Sequence, residues 1–206
     1  MSVKQNTSTL LQKAVDTVKE FGVFRARDFV AAGFPREYLH RLVRRDQVLR
    51  LGRGLYVPAT FDGDQNLMLV QAAQKIPRGV VCLFSALQFH RIGTQSPHQV
   101  WLAVPRDANF PRAGSLPLRF CKFSTASHAF GVEEHRLSGG SIRVFSPAKT
   151  VADCFKYRNK IGLDVALEAL REFLSGGWGS IAELQRYAAT CRVANVIRPY
   201  LQALTA

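Results

Sequence analysis

Apolar positions in the first sixty residues recur at intervals of three and four, then give way to the alternation of short strands. Leu10, Leu11, Ala14, Val15, Val18 and Phe21 predict an amphipathic helix from Ser8 to Phe21. Val23-Phe24-Arg25 follows as a short extended link able to pair with later strands. In the stretch from Ala26 to Asp46 a short apolar helical segment ends at Gly33, and Pro35 opens a second helix at a position where its missing N–H costs nothing. With Leu39 at the centre of that second helix, Leu42 and Val43 fall beside it at i+3 and i+4 and make the core face. The opposite face carries Glu37, His40, Arg41 and Arg44, with Arg45 at its edge, Arg36 at the helix start and Arg27 on the helix before. Phe29, Phe34 and Tyr38 are the expected filling of the small core. Gln47 to Leu51, including Arg50, reads as a strand, Gly52-Arg53-Gly54 as a turn and Leu55 to Pro58 as a return strand.

A helix-turn-helix followed by a two-stranded ribbon tipped with arginine has the element order of a winged helix. A recognition helix of that kind turns one face to base edges in the major groove, and a glycine on either side of Arg53 lets backbone approach phosphate closely. An ordinary solvated basic face and an ordinary tight turn contain the same residue types; their succession is what points to DNA. The expected contact residues are Arg27, Arg36, Glu37, His40, Arg41, Arg44, Arg45, Arg50 and Arg53.

The pattern changes after Pro58. The polar stretch Phe61-Asp62-Gly63-Asp64 is the expected linker between a winged helix-turn-helix over residues 1–60 and a second domain over 65–206. In that second domain Gln65 to Ile76 predicts a helix closed by Pro77, Gly79 to Phe84 a buried strand, and Ser85 the cap of a helix ending at Gly93. Gln99 to Val104 and Leu116 to Phe123 predict strands, and Val132 to Leu137 with Ser141 to Phe145 a hairpin across Ser138-Gly139-Gly140. Ser146-Pro147 is an N-cap followed by proline at the first helical position, and Ser180-Ile181-Ala182-Glu183 is a capping box. Helices follow to about Tyr157, from Leu163 to Leu174, to Cys191 and from Val193 to Leu204. The fold class is α+β, with a small, mostly antiparallel sheet packed against C-terminal helices.

Charge strengthens the DNA reading. The 206 residues hold 28 Lys+Arg against 15 Asp+Glu, a net of +13, which calls for a polyanionic partner. Residues 1–60 carry eleven basic and five acidic side chains, a net of +6, and the remainder a net of +7, so RNA is a further candidate partner for the second domain. A hydrophobic content of 47% supplies a globular core. No run approaches the ~20 apolar residues of a membrane span and the start is too polar for a signal peptide, so the expected place is the cytoplasm, with no membrane partner. Cys82, Cys121, Cys154 and Cys191 are widely spaced and read as reduced, packed thiols; the histidines His40, His90, His98, His128 and His135 fall at no metal-ligand spacing.

The sequence contains no recognisable catalytic constellation. Metal-dependent nuclease chemistry needs a Glu-x-Lys or Asp-x-Lys beside a further carboxylate, and neither tripeptide occurs. Asp62-Gly63-Asp64 has the carboxylate spacing of a nucleotidyltransferase but no preceding Gly-Ser, and it lies in the linker. Gly139-Gly140 and Gly176-Gly177 lack a phosphate-binding lysine and read as turns, and Glu133-Glu134-His135 reads as a solvated strand face. No catalytic residues, metal or cofactor are expected. Lys149 and Asp153 stand at i and i+4, the spacing of a helix ion pair worth about a few tenths of a kcal/mol, and neither is placed in a binding site.

Four stretches carry a family resemblance. The segment from Gly22 to Ala59, with Phe24-Arg25-Ala26-Arg27-Asp28 and Leu51-Gly52-Arg53-Gly54-Leu55-Tyr56, resembles the N-terminal winged helix of the AbiEi family of type IV antitoxins. Ser85 to Gly93, Val100-Trp101-Leu102-Ala103-Val104-Pro105 and Ser146 to Asp153 are similar to later parts of the same family. The resemblance implies an antitoxin that represses its own operon and opposes a nucleotidyltransferase-like toxin without forming a stable complex with it. Its DNA partner would be a double-stranded operator of inverted repeats, and antitoxicity would lie in the second domain. A stand-alone winged-helix regulator, and a nucleic-acid-acting enzyme with an unrecognised site, remain the alternatives.

Overall fold

The computed structural model describes residues 2–52, 54–60, 66–109, 116–137 and 140–205, with side chains from residue 10 onward. The expected linker at Phe61–Asp64, Arg53 of the expected wing turn and Ser138-Gly139 of the expected hairpin turn lie outside the described residues. Contacts divide the chain into two compact units, Met1–Gln74 with Arg136–Ser141, and Lys75–His135 with Ile142–Ala206.

The first unit runs α1 (Ser2–Phe21), β1 (Phe24–Arg25), α2 (Ala26–Ala31), α3 (Arg36–Arg44), β2 (Val48–Gly52), β3 (Leu55–Pro58) and α4 (Leu67–Lys75). Helix α1 begins well before the expected Ser8. Its Ala14, Val15 and Val18 are buried while Gln12, Lys13, Asp16, Lys19 and Glu20 stay exposed, the division that a 3.6-residue period imposes. The link predicted at Val23–Arg25 does pair: Phe24 lies opposite Tyr56 and Arg25 opposite Leu55. The resulting antiparallel sheet has the order β1-β3-β2. Phe24 stacks between Tyr56 and Phe29, with ring centroids at 5.9 and 6.3 Å, and Phe29 meets Phe34 at 5.2 Å. This aromatic column, with Tyr38, Leu39, Leu42 and Val48, is the core on which α3 rests. Of the three aromatics expected to fill it, Phe29 and Tyr38 are buried and Phe34 is half-buried.

The second unit continues with β4 (Val80–Val81), α5 (Leu83–His90), β5 (Val100–Pro105), β6 (Leu118–Phe123), α6 (Thr125–Ala129), β7 (Val132–Leu137), β8 (Gly140–Phe145), α7 (Pro147–Lys156), α8 (Arg158–Ile161), α9 (Leu163–Ser175), α10 (Ile181–Thr190) and α11 (Ala194–Thr205). The five strands are ordered β6-β5-β4-β8-β7. The chain is α+β as expected, but the sheet is mixed rather than mostly antiparallel. Strands β4 and β5 run antiparallel, whereas β5–β6 and β4–β8 are parallel. Parallel neighbours need a long return path. In sequence, β5 and β6 are separated by residues 106–117, and β8 reaches β4 from far along the chain.

Three local expectations are corrected. The strand expected over Gly79 to Phe84 is only two residues long, because Cys82 already serves as the N-cap of α5 and Leu83 turns the backbone to φ +48°. Ser85 therefore sits inside the helix instead of capping it. Its hydroxyl accepts the Trp101 N–H at 3.0 Å and donates to the Gln99 carbonyl at 3.4 Å, fastening α5 to the start of β5. Pro35, expected as the first helical residue, is the N-cap of α3, so the helix proper opens on Arg36.

The cap signals at Ser146 and Ser180 hold: each serine accepts the backbone N–H three residues on, from Lys149 and Glu183. Helix α7 is buried on eight successive residues, Ala148 to Phe155, and touches α5, α9, α10 and α11. Lys149 and Asp153 are therefore not the exposed helix pair that their spacing suggests. Both are 0% exposed; Lys149 Nζ meets Asp153 Oδ2 at 2.5 Å and lies 4.1 Å from the Phe145 ring, while Cys191 Sγ–H donates to Asp153 Oδ1 at 3.2 Å. Burial pushes the Asp153 carboxyl above the usual carboxylate range, with Lys149 pulling the other way.

All four cysteines are buried and unpaired. Burial raises the Cys82 and Cys154 thiols and pushes Cys191 up to about 12.

One glycine beside the buried pair admits no side chain. Gly131 has φ +74°, and a Cβ there would stand 2.8 Å from Tyr187 Cε1 and 2.9 Å from Lys149 Cβ. Gly131→Ala combines a left-handed backbone penalty of about 1–2 kcal/mol with overpacking of about 1–3 kcal/mol. We expect a loss of at least ~2 kcal/mol in urea unfolding. An unchanged midpoint would show that the loop before β7 yields freely.

Candidate nucleic-acid interface

The candidate interface is built on α3. Its position follows from the turn before it: Gly33 takes φ +89°, its N–H donates to the Val30 carbonyl at 2.9 Å, and Pro35 then restarts the chain in an extended cap. Tyr38, Leu39 and Leu42 are buried, and Val43 is half-buried. Arg36, Glu37, His40, Arg41, Arg44 and Arg45 are all exposed. The face expected to be polar thus contains no apolar residue, and the one expected to be core is core.

Within the exposed face, Arg41 is steered by its neighbours. Its guanidinium lies 3.6 Å from Glu37 Oε1 and 5.1 Å from the Tyr38 ring centroid. Both partners of the ion pair are about half exposed or more, so the pair is worth about 0.3–0.5 kcal/mol and yields readily to a stronger anion. Helix α3 ends with Arg45 as C-cap and Asp46 at φ +52°, and Gln47 N–H returns to the Leu42 carbonyl at 3.0 Å. This sharp stop aims the chain directly into β2.

Strands β2 and β3 form the ribbon. Leu49 pairs with Val57 and Arg50 with Tyr56, and the register then slips by one residue before Gly52 meets Leu55. The slip twists the ribbon at its far end. Arg50 is exposed, with Nε donating to the Gly52 carbonyl at 3.2 Å. Arg27, on α2, is exposed and 3.6 Å from the adjacent Asp28 carboxylate, which in turn accepts the Arg25 N–H at 2.8 Å. Of the nine residues expected to contact DNA, Arg36, Glu37, His40, Arg41, Arg44 and Arg45 share α3 or its C-cap, Arg27 and Arg50 stand on neighbouring elements, and Arg53 lies outside the described residues.

Glu133, His135 and His90 of the second unit form a cluster, of which sequence spacing conceals only the His90 member. His135 Nε2 lies 3.2 Å from Glu133 Oε2, and the His135 ring packs against Phe89 at 4.9 Å. His90 Nε2 is 2.7 Å from the Phe145 carbonyl, and burial lowers its pKa. Strand residues two apart share a face, so Glu133 and His135 meet directly; His90 joins them from α5 through tertiary packing alone. Among the described residues no three His, Cys, Asp or Glu are placed to hold a metal ion. No helix among them is long and apolar enough to cross a membrane.

No curated protein matches the chain. Residues 13–59 match the family profile described as a transcriptional regulator, AbiEi antitoxin. That span begins in α1, takes in α2, α3 and the β2–β3 ribbon, and ends one residue after β3. Through the segment that bears the exposed α3 face, the chain is similar to the AbiEi antitoxin family of transcriptional regulators.

Proposed function

We propose that the protein is a DNA-binding transcriptional repressor that lays α3 in the major groove of its own operator and acts as the antitoxin of a type IV pair. In this reading it opposes a nucleotidyltransferase-like toxin without forming a stable complex with it, and the operator carries inverted repeats. The observation that carries the DNA-binding half is the exposed, wholly polar face of α3, set on a buried Leu39/Leu42 face and followed at once by a ribbon. Helix N-terminal residues and the outer face reach base edges, and the ribbon and the arginines at its base reach phosphate. Arg41 and Arg44 stand one turn apart, suited to guanine O6/N7 contacts, while Glu37 accepts from a cytosine amino group. The exposed Glu37–Arg41 pair is weak enough for DNA to replace it.

Alanine at Arg41 or Arg44 is expected to cost about 1–3 kcal/mol of operator affinity and to relax sequence preference at one base position. A gel-shift titration against the upstream region and a promoter reporter read this directly. Repression by both variants equal to that of the wild type would remove α3 as the recognition helix. The antitoxin half is tested with the double variant Arg41→Ala/Arg44→Ala co-expressed with the toxin encoded beside it. Antitoxicity assigned to the region after residue 65 predicts lost repression with retained rescue. Growth arrest under the double variant, with rescue by the wild type, would tie antitoxicity to DNA binding instead.

A further inference from the structure

The second unit has a basic and aromatic groove of its own, along the β6 edge of its sheet. The parallel register sets Trp101 beside Arg119, whose guanidinium lies 5.6 Å from the indole centroid. A cleft of about 290 Å³ opens there, lined by Trp101, Arg119, Phe120, Cys121 and Lys160. It shares Phe120, Cys121 and Lys160 with a larger cleft of about 670 Å³ that runs on past Arg106, Lys122, Lys156 and Tyr157. No acidic side chain is among the described residues lining either cleft.

The cations and the rings are presented differently. Arg106, Arg119, Lys122, Lys156 and Lys160 are exposed, and they come from three places in the chain: the end of β5, β6, and the α7–α8 corner. Arg119 and Lys122 alone would be explained as charges guarding an edge strand. Three further cations from elsewhere in the chain converging on the same groove are not. Trp101, Phe120 and Tyr157 are half-buried. Trp101 meets Phe84 edge-on at 5.1 Å, and Tyr157 packs on Phe123 at 5.0 Å with its hydroxyl donating to the Lys122 carbonyl at 2.8 Å.

Several cations around one groove concentrate anions, and fixed aromatic rings between them offer surfaces for flat, apolar faces. A nucleic-acid duplex satisfies the first demand but keeps its base faces stacked inside. Unpaired nucleotides satisfy both, phosphates on the cations and bases against the rings. We infer that this groove binds single-stranded nucleic acid, with Arg106, Arg119, Lys122, Lys156 and Lys160 on the phosphates and Trp101, Phe120 and Tyr157 as stacking surfaces. The groove shares no residue with the α3 face and requires no operator.

The chain has two tryptophans, so Trp178→Phe leaves Trp101 as the sole indole reporter in the full-length protein. Oligouridylate and oligothymidylate of about 12 nucleotides, a DNA duplex of equal length and heparin are titrated at about 100 mM salt. Both single strands are expected to quench Trp101, and the duplex and heparin to leave it unquenched. A tighter ribo-oligomer assigns the site to RNA and a tighter deoxy-oligomer to single-stranded DNA; either upholds the proposal. Lys156→Glu/Lys160→Glu, at two exposed positions, should weaken single-strand binding by roughly tenfold or more while operator duplex binding is kept. Arg41→Ala/Arg44→Ala should show the reverse pattern, so failure here and failure of the repressor reading are distinguishable. Absence of quenching by either single strand, equal quenching by duplex or heparin, or unchanged affinity in the charge-reversed variant would each overturn the proposal.

Discussion

Lys149→Met is expected to destabilise the protein by about 3–5 kcal/mol at pH 7, the cost of leaving a buried partner charge uncompensated. Asp153 is 0% exposed, and once Nζ is gone the Cys191 Sγ–H at 3.2 Å is the hydrogen-bond donor left to its carboxylate among the described residues. A thiol is a weak donor. The penalty has a definite pH dependence. In the variant the folded-state pKa of Asp153 is raised above its unfolded value of about 3.9. The folded state then holds the proton more tightly than the unfolded chain, so relative stability is greatest below pH ~4 and falls by about 1.4 kcal/mol per pH unit up to the folded pKa. Urea midpoints of variant and wild type should therefore converge as pH is lowered from 7 to about 5. The double variant Lys149→Met/Asp153→Leu removes both charges and should recover most of the loss, because a buried pair contributes little net stability even though breaking it is costly. A single variant as stable as the wild type at pH 7, or a double variant no better than the single, would show that the pair is not buried as described.

The helix pair also shows what local sequence carries and what it does not. Lys149 and Asp153 have the same i,i+4 spacing whether the helix faces water or protein. Only the surroundings decide, and these come from Phe123 and Phe145 on the sheet and from Cys191 after α10. The first unit was more legible because its signals are local: a 3.6-residue period in α1 and α3, Gly33 at positive φ, and Pro35 at the α3 start. Its predicted core and polar faces were found where periodicity put them. In the second unit the caps at Ser146 and Ser180 were readable for the same reason. The sheet order was not, since β5–β6 and β4–β8 pair in parallel across long intervals. The five-residue α6 and four-residue α8 are too short to build a periodic pattern, although Ser124 caps the first of them. The basic groove escaped for a related reason. Arg119 and Lys122 read as the charged face of one strand, and Lys156 and Lys160 as a helix end, until the fold sets them around the same rings.

Operator affinity should fall by more than a hundredfold between 50 and 200 mM salt. Each phosphate neutralised releases condensed counterions, with a slope of about 0.9 in log K per log salt; four contacts over this fourfold change give a factor above ~100. The exposed Arg36, Arg41, Arg44, Arg45 and Arg50 supply more cations than that number requires, before Arg53 is counted. One effect opposes the trend. Salt also weakens the Glu37–Arg41 pair that must open on binding, but an exposed i,i+4 pair is worth only about 0.3–0.5 kcal/mol, against nearly ~3 kcal/mol for the lost counterion release. Counterion release therefore wins. Where an arginine contacts phosphate, its alanine variant should lower the slope by about one while weakening all sequences alike; where it contacts a base, specificity should change and the slope should move less. Gel-shift titrations at three salt concentrations, with the wild type and with Arg45→Ala and Arg50→Ala, separate the two classes. Affinity unchanged across the range would rule out a phosphate-gripping helix and ribbon, whatever the sequence preference of the complex.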